Sequence, residues 1–238
     1  MSSRKQQKEA ARARRLALEQ QLHAAVARRR RVRRGGAAIA AVFALALAGV
    51  LFESGVSNGS RSSALTGPEG VPIASGPVLA SPAAPVDGHS VDGISCLAGE
   101  QLLFHIHAHL SVFADGAARQ IPAGIGIVNP QSTATPGGTF VSGGGCFYWL
   151  HTHAADGIIH IESPIRRIYT LGDFFDVWGQ PLSSSRVGPL EGRLVAIYNG
   201  RPYSGNPRQI SLTPHAQIQL EIGTPVVAPV SITFPAGL

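Results

Sequence analysis

Sulfur is scarce in this 238-residue chain: Met1 is the sole methionine, and Cys96 and Cys146 are the only cysteines. Without an internal thioether, a site for soft Cu(I) is disfavoured, and a blue-copper arrangement lacks its usual axial ligand. Also missing are a Walker loop, a serine nucleophile elbow, an HExxH helix and a CxxCH haem attachment, so no recognised catalytic signature is present. Charge is sparse as well, at 14% of residues, and unevenly spread. Residues 1–36 hold twelve Lys or Arg against two Glu, whereas residues 37–238 hold eight basic and twelve acidic residues. The sequence pI near 10 therefore belongs to the N-terminal arm, and the mildly acidic remainder argues against nucleic acid as a partner.

Four zones follow from these shifts. Residues 1–34 form a basic arm expected on the cytoplasmic side, where its charge attracts anionic lipid. Gly35 to Phe52 is uncharged and apolar; at about 1.5 Å per residue it spans roughly 27 Å, the lower end of a bilayer crossing. With Arg and Lys on its N-terminal flank, the expected topology is a single-pass anchor at the cell membrane with an extracytoplasmic C-terminal domain. A cleaved signal peptide is the alternative, weakened by the long basic lead. Residues 53–92 are rich in Gly, Ser, Pro and Ala without hydrophobic periodicity and read as a disordered linker, with His89 incidental in it. Residues 93–238 suffice for one compact domain.

Within that domain histidine dominates. Six of the nine histidines fall in Phe104-His-Ile-His-Ala-His109 and in Leu150-His-Thr-His153 with His160-Ile-Glu162, all at strand period. Side chains two apart on a strand share a face, so His105, His107 and His109 oppose Phe104, Ile106, Ala108 and Leu110. Asp115-Gly116 reads as a two-residue hairpin turn, returning through residues 117–122. Residues 124–145 carry loop chemistry around short strands and are placed to cross the site. Cys146 to His153, the turn Ala154-Ala-Asp-Gly157 and Ile158 to Glu162 read as a second hairpin. If His153 pairs with Ile158, His151 lies opposite His160, and His151, His153, His160 and Glu162 share a face. Thr170-x-x-Asp173 opens an amphipathic helix carrying Leu171, Phe174, Phe175 and Trp178. Residues 194–198, 210–212 and 216–222 supply further strands around an Asn199-Gly200 turn.

The expected fold is mainly β (α+β): an antiparallel sandwich or barrel-like domain with one helix and a β-grasp-like second half. Cys96 and Cys146, placed outside the cytoplasm by the anchor argument, are expected to form a disulfide, with Cys146 as a thiolate ligand the rival reading. Imidazole is the commonest ligand for zinc, copper and iron, so His105, His107, His109, His151, His153 and His160 are candidate ligands for one divalent transition metal: Zn, Cu, Mn or Fe. Glu162 is an additional ligand or orienting partner, and Glu162 and Asp156 are candidate acid–base residues. A hydrogen-bonded histidine network and a pH-sensing cluster are the competing explanations. His215 reads as a turn residue.

The strings Phe104-His-Ile-His-Ala-His-Leu110, Ile121-Pro-Ala-Gly-Ile-Gly-Ile127, Tyr148 to Pro164 and Tyr169 to Gly179 resemble an uncharacterised bacterial family of membrane-anchored or secreted His-rich proteins. That resemblance spans about residues 100–223 and implies one domain there, with no activity attached. Gly99-x5-His105-x-His107 also resembles the start of the cupin metal motif, but Ser111 and Val112 stand where its Glu belongs. Two main roles remain open: metal binding for sequestration, sensing or delivery, or a metal-dependent hydrolytic or redox enzyme with an open coordination position. A structural or interaction domain with incidental histidines is the third.

Overall fold

The computed structural model describes residues 65–82 and 87–238. The chain forms β1 (Cys96–Leu97), β2 (Phe104–Ala114), β3 (Ala117–Arg119), β4 (Ile127–Val128), β5 (Gln131–Thr135), β6 (Gly138–Gly143), β7 (Cys146–Tyr148), β8 (Leu150–His151) and β9 (Ile158–Ser163). After helix α1 (Leu171–Trp178) come β10 (Leu182–Ser183), β11 (Arg186–Val187), β12 (Leu190–Glu191), β13 (Leu194–Tyr198), β14 (Arg201–Tyr203), a 3-10 turn (Pro207–Gln209) and β15 (Ala216–Ile222).

The main sheet runs β14-β13-β15-β2-β9-β8, with β3 pairing the end of β2 that β9 does not reach. At 11 residues, β2 is the axis of this sheet. Its hairpin with β3 turns at Asp115 and Gly116, both in the left-handed region at φ 50° and 74°, as the twist of a two-residue hairpin requires. The sheet is open and mixed, which corrects the expected antiparallel sandwich or barrel. β15 lies parallel to β2, from Ala216 opposite Ala108 to Ile222 opposite Ala114, and β14 and β8 are separate edges. Pro202 on β14 has no N–H for another strand, and β8 ends after two residues, so neither edge continues toward closure. The β-grasp-like second half is likewise corrected. Its last strand enters the sheet beside β2 from the first half, so the two halves form one sheet, and residues 182–191 form a separate three-stranded unit.

The apolar face of the sheet is covered by α1. Thr170 and Asp173 make both bonds of a capping box, at 2.8 and 3.1 Å, and Gly179 closes the helix at φ 69°. Leu171, Phe174, Phe175, Val177 and Trp178 pack in one core with Leu110, Val112, Leu150, Ile159, Ile161 and Leu220. Burying an apolar side chain of this size is worth about 1.5–3 kcal/mol each.

The opposite face is polar but also buried. Alternation in β15 puts Gln217, Gln219 and Glu221 there, and backbone N–H groups of Ile232, Val230 and Val227 donate to them at 2.8, 2.7 and 2.8 Å. The C-terminal segment thus docks along the sheet through a ladder of side-chain acceptors. Residues 65–80 cover the neighbouring strands. Over its described residues the expected linker is not a disordered tether: Val71 and Leu79 are buried, and Leu79 N–H donates to Gln120 O at 2.9 Å.

The membrane expectation is corrected too. Among the described residues no helix is long and apolar enough to cross a membrane, and the stretch 35–52 and the basic arm lie outside the described residues. Bilayer anchoring, the anionic-lipid contact and the single-pass, two-sided topology are therefore unsupported.

Cys96 and Cys146 form a disulfide that joins β1 to β7, and no free cysteine remains, which removes Cys146 as a thiolate ligand. The bond closes a loop of 50 residues, for which chain-entropy reasoning gives about 4 kcal/mol of stabilisation. Replacing both cysteines by Ala is expected to lower the unfolding free energy by about 2–5 kcal/mol in urea titrations, with a steeper transition slope because the unlinked denatured chain exposes more surface.

Candidate metal centre

Three adjacent strands build the centre, with β9 in the middle. His160 lies opposite His107 of β2 on one side and His151 of β8 on the other, and Glu162 lies opposite His105. The expected pairing of His151 with His160 is the one found. Since side chains at i and i+2 share a strand face, His105, His107, His160, Glu162 and His151 emerge on the polar side of the sheet, and His153 joins them from the turn after β8. Two sets of four donor atoms result, His105/His107/His160/Glu162 and His151/His153/His160/Glu162. Within each set all atoms lie within 4.8 Å of one another. This His/Glu cluster is geometrically suited to hold a divalent metal ion.

The tautomers of the second set are fixed by their surroundings. His151 Nδ1 lies 2.8 Å from Tyr148 O and His153 Nδ1 lies 2.6 Å from Val141 O; carbonyl oxygens only accept, so both Nδ1 atoms carry protons. In the neutral rings both Nε2 atoms are then lone-pair acceptors, yet they face each other at 3.1 Å inside the protein. Glu162 Oε2 stands 3.9 Å from His151 Nε2, and it is buried without any hydrogen-bond donor. Buried acceptors converging on acceptors favour a proton or a metal cation between them. A proton on one ring would satisfy a single pair, whereas a divalent ion satisfies all of them. Donor atoms bound cis at about 2.1 Å stand about 3.0–3.4 Å apart; the His151–His153 pair, at 3.1 Å, has that spacing, and Glu162 Oε2 stands somewhat further off at 3.9 Å.

His160 is oriented by a carboxylate. Its Nε2–H donates to Glu69 Oε1 at 2.6 Å and its Nδ1 lies 3.4 Å from Glu162 Oε1, the carboxylate–histidine arrangement that presents the other ring nitrogen to a metal. Burial alone would lower this imidazole, but the hydrogen bonds and charges of Glu162 and Glu69 outweigh it and push it up to about 9. His160 therefore holds an extra proton, which a bound metal would displace. Burial, with the neighbouring His160 and His153, holds His151 well below its ordinary value, and burial with His160 and His105 lowers His107 to about 3.

Other predicted residues sit elsewhere. His109 points along the sheet to Asp156, its Nε2–H donating to the Asp156 carbonyl at 2.9 Å, and it belongs to neither donor set. Its role is to tie the β8–β9 turn to β2, and burial lowers it to about 4. Asp156 is also outside both sets; its Oδ1 accepts from Ile158 N–H, and burial together with Glu69 raises it to about 7. His215, at φ 59°, is a turn residue donating to Leu238 O, and His89 is exposed. Residues 124–145 do reach the site, where Phe140 of β6 stacks on His153 with ring centroids 5.1 Å apart.

Glu69 and Glu100 went unnoticed in the sequence. Glu69 is the lone acidic residue between Glu53 and Asp87, and that isolation in a Gly/Pro/Ser stretch was its only signal. It is carried by a tight turn in which Gly67 N–H donates to Val71 O at 2.7 Å. Gly67 leaves no room for a side chain there, since an added Cβ would stand 2.9 Å from Asp156 Oδ2. Glu100 Oε1 lies 3.4 Å from His153 Nε2 at the solvent edge.

Two outcomes follow. Glu69→Gln, which keeps shape but weakens the orienting acceptor, is expected to lower metal affinity about 10–100-fold in chelator competition. In the metal-free protein, His107, His109 and His151 stay neutral when folded but titrate near 6.5 when unfolded, so lowering the pH below 6.5 destabilises the fold. Asp156 opposes this between 3.8 and about 7, one carboxyl against three imidazoles. The melting temperature should therefore rise from pH 4 to 6.5, and His109→Gln should make the rise shallower. No family model, curated protein or solved structure matches this chain.

Proposed function

We propose that this domain is a transition-metal-binding module whose primary ion sits among His151, His153, His160 and Glu162. The observation that carries the reading is the pair of buried Nε2 lone pairs facing each other at 3.1 Å with their protons already committed to carbonyls. A histidine network without metal would alternate donors with acceptors, and here the acceptors meet.

Three imidazoles and a carboxylate form a borderline-to-hard donor set that suits Zn(II), Cu(II), Mn(II) or Fe(II). Cu(I) is disfavoured because both cysteines are tied in the disulfide and Met1 is the sole methionine. Tight retention is favoured by the burial of the four side chains, none more than 6% exposed, which shields ligand–metal bonds from competing water.

Elemental analysis of the full chain, purified without a polyhistidine tag, is expected to give at least one equivalent of zinc, copper, manganese or iron. His151→Ala and His153→Ala should each lose most of that metal while circular dichroism retains the β signature. A folded protein that neither carries metal nor takes it up from solution overturns the reading. Loading the metal-free protein at pH 7 should release protons, measured by calorimetry in buffers of different ionisation enthalpy.

A further inference from the structure

The second donor set asks what His105 and His107 do. Their Nε2 atoms stand 3.0 Å apart, and His105 Nε2 stands 3.1 Å from Glu162 Oε1. Both separations match cis ligands on a single ion at ordinary bond lengths of about 2.1 Å. They fall in a different set from His151 and His153, however, because β9 separates the two flanking pairs. Only His160 and Glu162 are common to both sets. The carboxylate of Glu162 divides accordingly, with Oε1 facing His105 at 3.1 Å and Oε2 facing His151 at 3.9 Å. Oε2 is buried and has no hydrogen-bond donor, so it is held for a cation on its own side.

We infer that the centre is dinuclear: a second divalent ion is held by His105, His107 and Glu162 Oε1, and the Glu162 carboxylate bridges it to the primary ion. The inference rests on the metal-binding reading above and adds the second ion to it. Its chemistry differs from that of the inner ion. Two imidazoles and one carboxylate oxygen leave coordination positions open, whereas the inner ion has four protein donors. His105 is 36% exposed, and with His107 it lines a cavity of about 300 Å³ next to Pro214, His215 and Leu238. The exposure of His105 places the outer ion near the solvent edge, where water and a small ligand can reach its open positions. Bridged ions of this kind stand about 3.5–4 Å apart, close enough for their electrons to couple.

The test uses the untagged full chain, stripped by chelator and titrated with Cu(II), with bound copper counted after gel filtration and followed by electron paramagnetic resonance. The expected result is two equivalents. The first should give an isolated-ion spectrum, and the second should broaden or quench it through coupling. His105→Asn/His107→Asn should bind one equivalent with an uncoupled spectrum, and because His105 is at the surface the single His105→Asn serves if the double variant misfolds. One equivalent in the unaltered protein overturns the second ion while leaving the primary site standing. Two equivalents without coupling overturn the Glu162 bridge. No bound copper overturns both this inference and the metal-binding reading.

Discussion

Everything at the centre depends on one cross-strand register: His107, His160 and His151 lie abreast on β2, β9 and β8. Side chains alternate strictly along a strand, so a slip of one residue in β9 would send His160 and Glu162 into the apolar core and bring Ile159 and Ile161 into the site. The register is held from the apolar side. Ile159 and Ile161 pack in the core that α1 covers, so the same residues that stabilise the fold fix which way the imidazoles point. The capping box on α1 contributes to metal-site geometry through this packing, without touching the site.

The polar face of the sheet carries an electrostatic burden that its surroundings are arranged to meet. Imidazoles, carboxylates and several amides are taken out of water there, and each needs a partner. Backbone carbonyls of Tyr148 and Val141 hold two ring protons, Glu69 holds a third, and the C-terminal segment satisfies the β15 side chains. What is left over is an inward-facing group of lone pairs. That residue of unsatisfied acceptors suits the cluster to holding a cation, and it becomes visible only when every proton is assigned.

Much of this was legible in the sequence. Period-two histidines identified β2 and the β8–β9 hairpin, and the Thr170-x-x-Asp173 pattern marked the start of α1, because both signals are local. The sheet order was not legible. Pairing of β15 with β2 joins residues more than a hundred positions apart, and the alternation of Gln217, Gln219 and Glu221 reads as a solvated face whether water or a docked segment covers it. His109 shared the period of its neighbours and was counted as a ligand, but it stands one pair further along β2, opposite Ile158, where the Asp156 carbonyl claims its proton. Glu69 was missed because composition describes a segment's average, and a single carboxylate in a Gly/Pro/Ser stretch leaves that average unchanged.

The turn that carries Glu69 redraws where the functional unit begins. Taken by composition, the domain would be cut near residue 93, and a fragment so cut would keep all six clustered histidines and the disulfide. It would also leave the Nε2–H of His160 without its carboxylate and uncover Asp156, which Gly67 approaches closely enough to exclude any side chain. A piece of the chain that keeps the His160–Glu69 contact must therefore begin before the Glu69 turn, and the Gly/Pro/Ser segment at its front is part of the folded unit and not a spacer ahead of it.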